Sequence, residues 1–233
     1  MPDPVCWWKL AGNLNDSSGN SHTLSAESGS LTYSTGPNGV ANTCGVFDGS
    51  CRLWLSPHAD TNLSTTAFTF LWWEKSAATG SPGYIMSRYS NDSIGYYVIR
   101  DSADANFTFR DPSSHNHYIF SSGDSSATVW HMFAYTSSRT KGDGKAWYDN
   151  GTDVSGYVSD SPDGGNLNAL TDSTGSYYLS GRYADGNAAF TGSLANVRIY
   201  KAALTQSEIQ AVYSADTTVP FVPKPSKKCI VLF

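Results

Sequence analysis

Acid catalysis on a polysaccharide would need a pair of carboxyl groups, about 5 Å apart for a retaining mechanism. The chain has only three glutamates, Glu27, Glu74 and Glu208, and no two of them share a strand face. Asp101, Asp104 and Asp111 form the nearest carboxylate cluster, but they flank turns, where Asp serves backbone conformation. There is no Gly-x-Ser-x-Gly elbow to present a nucleophilic serine. His115 and His117 would share one face of an extended segment, a spacing that can bind zinc, yet no third ligand stands at a telling distance. Without a CxxC pair, Cys6, Cys44, Cys51 and Cys229 read as free thiols rather than a zinc site, with one bridge among the first three as the alternative. The residue chemistry points away from an enzyme.

The elements that would position these groups are short strands. In 233 residues only 15% are charged, while 21 Gly accompany 14 Tyr, 10 Phe and 7 Trp. Aromatics alternating with turn formers suit an all-β domain, and sandwiches of this length often stay undivided. A net charge of −5 supplies no basic stripe for phosphates, which excludes nucleic acid as a partner. No apolar run reaches membrane-spanning length. The start, MPDPVCWW, shows no charged n-region or apolar h-region, so no signal peptide is visible.

Pattern and turn spacing predict strands at Val5–Leu10, Leu31–Tyr33, Phe68–Lys75, Tyr84–Tyr89, Ile94–Arg100, Ala105–Arg110 and His117–Phe120. Phe68–Lys75, FTFLWWEK, reads as a central strand buried on both faces. Residues 155–173 read as a long polar loop. LANVRIY then alternates as a last strand after Gly192, and Thr205 and Glu208 form a capping box opening a helix whose apolar face carries Ile209, Val212 and Tyr213.

This ending, with D-S-S-G-N near residue 18, F-D-G at 47–49 and W-H at 130–131, resembles laminin-G-like, concanavalin A-type lectin domains over about residues 5–214. The resemblance implies an antiparallel two-sheet β-sandwich of jelly-roll type with one short C-terminal helix. Residues 1–215 would form it, and 216–233 a Pro/Lys-rich tail with an apolar end. Related hydrolases of this fold carry two glutamates in one strand, which this chain lacks. Noncatalytic recognition of a glycan or glycosylated surface is therefore the implied function. Aromatic platforms and planar polar groups for it would come from Arg88, Tyr89, Tyr96, Arg100, Arg110, His117, Tyr118, Arg182 and Tyr183. The sequence dictates no cofactor. The resemblance suggests Ca2+ held by Asp16, Asn20 and Asp48, although Ala195 stands where the family carries an Asp ligand. The alternative reading is a virion or surface structural protein whose tail meets other copies or a capsid or fibre protein. Either way the expected place is extracellular or on a virion surface.

Overall fold

The computed structural model describes residues 1–63, 66–76, 83–90, 94–101, 104–110, 116–121, 129–140, 143–149, 151–153, 158–160, 175–182 and 189–218. In chain order the strands are β1 (Cys6–Trp8), β2 (Ser25–Ser28), β3 (Thr32–Ser34), β4 (Cys44–Asp48), β5 (Arg52–Leu55), β6 (Phe68–Ser76), β7 (Gly83–Ser90) and β8 (Ile94–Asp101). They continue with β9 (Asp104–Arg110), β10 (Asn116–Ser121), β11 (His131–Ser137), β12 (Lys145–Tyr148), β13 (Thr152–Asp153), β14 (Val158–Asp160), β15 (Tyr177–Leu179) and β16 (Thr191–Tyr200). One α-helix, α1 (Gln206–Thr217), closes the described chain.

Two antiparallel sheets face each other. One runs β13-β12-β11-β6-β16-β4-β3, with β1 also paired to β16; the other runs β14-β10-β9-β8-β7-β15-β5-β2. This is the expected concanavalin A-like sandwich. Two details differ from the sequence reading. Residues 158–160, inside the stretch expected as loop, pair with β10, and Ser25–Ser28 pair with β5. Both strands are short and polar, and edge pairing through backbone groups needs no hydrophobic alternation.

The two-sided strand is where the sequence places it. From β6, Phe68, Phe70 and Trp72 enter the core between the sheets, beside Tyr96, Phe107, Phe109, Phe133 and Tyr135. Trp72 stacks on Phe133 with centroids 5.5 Å apart. The alternate residues Leu71 and Trp73 face the other way, under α1, with Ile209 and Val212. Burying each of those helix side chains contributes about 1.5–3 kcal/mol. The capping box is present: Glu208 N donates to Thr205 Oγ1, and Thr205 N donates to Glu208 Oε2 at 2.8 Å. The helix continues past Tyr213 to Thr217, so Asp216 belongs to the sandwich's cover rather than to a tail. Residues 219–233 lie outside the described residues. Gly192, the second residue of β16, has φ +149°, and a Cβ there would lie 2.6 Å from the Lys75 carbonyl oxygen. Only glycine fits that approach.

Cys6, Cys44 and Cys51 are buried free thiols. No helix among the described residues is long and apolar enough to cross a membrane.

Candidate functional site

β16 changes edge partner midway. Residues 191–194 pair with β4, and Val197, Arg198 and Ile199 pair with Trp8, Trp7 and Cys6 of β1. The switch occurs at a bulge between Ala195 and Arg198, where Asn196 sits at φ 50°. Asparagine tolerates that left-handed conformation better than most residues, and a bulge re-aims the neighbouring side chains. Cys6 and Trp8 enter the core, whereas Trp7 points to the outer side with its cross-strand partner Arg198.

A cleft of about 280 Å³ opens there, lined by Trp7, Lys9, Asn38, Asn196, Arg198 and Asp216 among others. Its size sits near the lower end of the roughly 300–1,000 Å³ of small-ligand sites. The Lys9 ammonium and the Arg198 guanidinium each lie 4.4 Å from the Trp7 ring centroid. The Trp7 indole N–H donates to Asn196 Oδ1 at 3.2 Å. Arg198 is fully engaged with Asp216 through two bonds of 2.7 and 2.6 Å, and Asp216 also accepts from Trp73 Nε1 at 2.8 Å. The Arg198–Asp216 pair is therefore neutral as a unit, and the exposed Lys9 sets a positive balance. Asn38 Oδ1 accepts from Val40 N and Thr43 Oγ1, which fixes its amide at the rim.

The three glutamates all have structural duties. Glu74 is buried, takes the Arg100 guanidinium across the sandwich and accepts from Trp72 Nε1 at 2.8 Å. Glu27 pairs with Arg52 at 3.1 Å, and Glu208 closes the helix cap. No two of them stand together.

The residues expected to touch a ligand are dispersed. Tyr96 is 2% exposed and packs on Phe70 and Tyr177 in the core. Arg88, also buried, donates to the carbonyls of Gly175 and Thr61. Arg100 lies inside with Glu74. These three are interior groups because Arg88 and Tyr96 are cross-strand partners, and Tyr96, Val98 and Arg100 alternate onto the inner face of β8. Arg182 is half-buried beyond the opposite sheet, donating to Tyr84 Oη at 3.2 Å and lying 5.9 Å from the Tyr97 ring centroid. The side chains of Tyr89, Arg110, His117 and Tyr118, and the whole of Tyr183 and His115, lie outside the described residues. Trp7, Lys9 and Asp216 were not among the expected residues. The period-two pattern CWW could have marked Trp7 as the outward member of its strand.

The groups expected for calcium each serve a local hydrogen bond. Asp16 Oδ1 accepts from Trp7 N and Ser18 N, and its Oδ2 from Ser18 Oγ and His22 N. Burial works to raise the Asp16 pKa, but these bonds outweigh it and hold the carboxyl below its usual value. Asn20 Nδ2 donates to the Val5 carbonyl. Asp48 Oδ1 accepts from Ser50 N, Ser50 Oγ and Cys51 N in its own turn. Both Asp16 oxygens and Asp48 Oδ1 thus face N–H and O–H donors that hold their own turns.

Residues 54–210 match the family model of the concanavalin A-like lectin/glucanases superfamily, Laminin_G_3. The chain belongs to this family. No curated protein sequence matches this Laminin_G_3 chain. Among solved structures, it is similar to the binding domain of Paraclostridial Mosquitocidal Protein 1, at 14% identity and a TM-score of 0.72, over 91% of this chain and 52% of that one. It is likewise similar to domain 4 of AbnA, a GH43 extracellular arabinanase from Geobacillus stearothermophilus, solved in complex with arabinotriose. That match has 16% identity and a TM-score of 0.69, over 91% of this chain and 98% of that one. The binding domain of Botulinum Neurotoxin DC in complex with SialylT matches at 13% identity and a TM-score of 0.68, over 91% and 51%. The Laminin_G_3 chain thus spans about half the length of the toxin binding domains and nearly all of the arabinanase domain.

Proposed function

We propose that this chain is a noncatalytic glycan-recognition module whose ligand occupies the cleft beside Trp7. The observation that carries the reading is the convergence of a cation, an indole and two side-chain amides on one concave surface. Saccharides present hydroxyls and carboxylates, all of which accept hydrogen bonds, and the Lys9 ammonium and the Asn38 and Asn196 amides are donors. The apolar edge of Trp7 supplies the CH-facing contact that a sugar ring adds. Solved relatives of this fold include a domain complexed with arabinotriose and a toxin binding domain complexed with SialylT, which supports a saccharide over other small ligands. The noncatalytic part rests on the carboxylates: a glycosidase acts with two Asp or Glu on one bond, whereas each glutamate serves an ion pair or cap and the one carboxylate lining the cleft, Asp216, is paired with Arg198.

A glycan array probed with wild type and with the Lys9→Ala and Trp7→Ala variants tests this. Binding to a defined saccharide set, weakened at least tenfold in both variants, is expected. Binding that survives both substitutions unchanged moves the site elsewhere, and product release from bound polysaccharide ends the noncatalytic reading.

A further inference from the structure

A second cluster lies where the β1–β2 turn meets the connection between β5 and β6. His22, buried, faces His58 and Asp60, which bracket the start of a short 3-10 helix over Ala59–Thr61. Their ligand-capable atoms all lie within 4.8 Å of one another, the one such group of His, Cys, Asp and Glu among the described residues.

The hydrogen bonding of His22 defines what the cluster lacks. Nδ1 lies 3.0 Å from the Val5 carbonyl oxygen, an acceptor only, and 3.4 Å from the Cys6 thiol; the shorter contact favours the proton on Nδ1. Nε2 then presents its lone pair, yet it faces another acceptor: the Asp60 carboxylate, at 3.1 Å to Oδ1 and 3.0 Å to Oδ2. A lone pair and a carboxylate this close require a positive centre between them, either a second proton or a metal ion. The His58 ring stands edge-on to His22 with centroids 4.7 Å apart, which places another imidazole at the same spot.

We propose that His22 Nε2, His58 and Asp60 bind a divalent transition-metal ion, with Zn2+ as the fitting member. Two imidazoles and one carboxylate suit zinc at about 2.0–2.2 Å per bond, whereas Ca2+ prefers an all-oxygen shell. Tetrahedral ligands at those lengths stand roughly 3.3 Å apart, close to the His22–Asp60 spacing. The half-buried His58 supplies the remaining approach by rotating its side chain. The Val5 carbonyl plays the part that outer partners play for metal-bound histidines, fixing the tautomer and aiming Nε2. Asp60 is solvent-exposed, so water or a ligand group completes the coordination. The ion would pin the segment whose Thr61 and Leu63 carbonyls hold Arg88 and Arg139.

The test is isothermal titration of the full chain, free of any histidine tag, with ZnCl2, together with Co2+ binding read by visible absorption. His58→Ala and Asp60→Ala are the variants of choice, since both side chains reach solvent and neither anchors the core as His22 does. One equivalent of Zn2+, a tetrahedral Co2+ spectrum, and at least tenfold weaker binding in each variant are expected. Absence of Zn2+ binding in the wild type, or equal affinity in either variant, overturns the proposal and leaves His22–Asp60 as an ion pair.

Discussion

Arg100 of β8 reaches across the sandwich to Glu74 of β6, joining the two sheets by an ion pair inside the aromatic core. Trp72 Nε1 holds the other Glu74 oxygen at 2.8 Å, and the guanidinium lies 5.0 Å from the Phe133 ring centroid. Removing one partner leaves the other charge buried without its counterpart, which costs about 3–5 kcal/mol. Glu74→Leu is expected to lower the urea midpoint accordingly. The double variant Glu74→Leu/Arg100→Met should recover much of that loss, and a double variant as unstable as the single would contradict the ion-pair account.

Asp16 is predicted to act as the keystone of the N-terminal turn. Its oxygens satisfy the Trp7, Ser18 and His22 backbone N–H groups, and orphaning buried donors costs about 1–3 kcal/mol. Asp16→Ala should destabilise by at least that amount. Because its folded pKa lies below the usual 3.8, the stabilisation is full above that value and disappears as pH falls through the folded pKa. Acid unfolding followed by circular dichroism should therefore show a weaker pH dependence below pH 3.8 in the variant than in wild type.

Tyr200 gives the opposite slope at high pH. Burial is the main cause that pushes its phenol from 10 up to about 12; Arg198 opposes this and Asp216 adds to it. The unfolded chain loses this proton near pH 10 and the folded one near 12, so stability present below pH 10 is lost as pH rises towards 12. Tyr200→Phe should flatten that part of the denaturation profile, measured by guanidinium unfolding across the alkaline range.

Asn196 separates backbone from ligand effects in the cleft. At φ 50° a β-branched residue is strained, and Asn196→Val is expected to cost about 1–2 kcal/mol in thermal unfolding. Asn196→Gly keeps the conformation but removes the acceptor for Trp7. It should melt within a few degrees of wild type while binding saccharide several-fold more weakly. Unimpaired binding in Asn196→Gly would show that the amide does not orient the indole for a ligand.

Local features were legible in the sequence because short-range physics governs them. The alternation in FTFLWWEK foretold a strand buried on both faces, and the Thr205/Glu208 spacing foretold the helix cap. The same alternation puts Tyr96 with Val98 on the inner face of its strand, although the sequence reading expects Tyr96 to meet a ligand. What the sequence could not convey was the meeting of distant segments. Trp7 finds Asn196 across 189 positions, Trp73 finds Asp216 across 143, and His22 finds Asp60 across 38. Those meetings depend on strand order, on register and on the bulge at Asn196, all set by how the two sheets bury their aromatic faces together. Composition and periodicity determined the short strands and their buried faces; only the tertiary structure decided where the cleft and the histidine cluster lie.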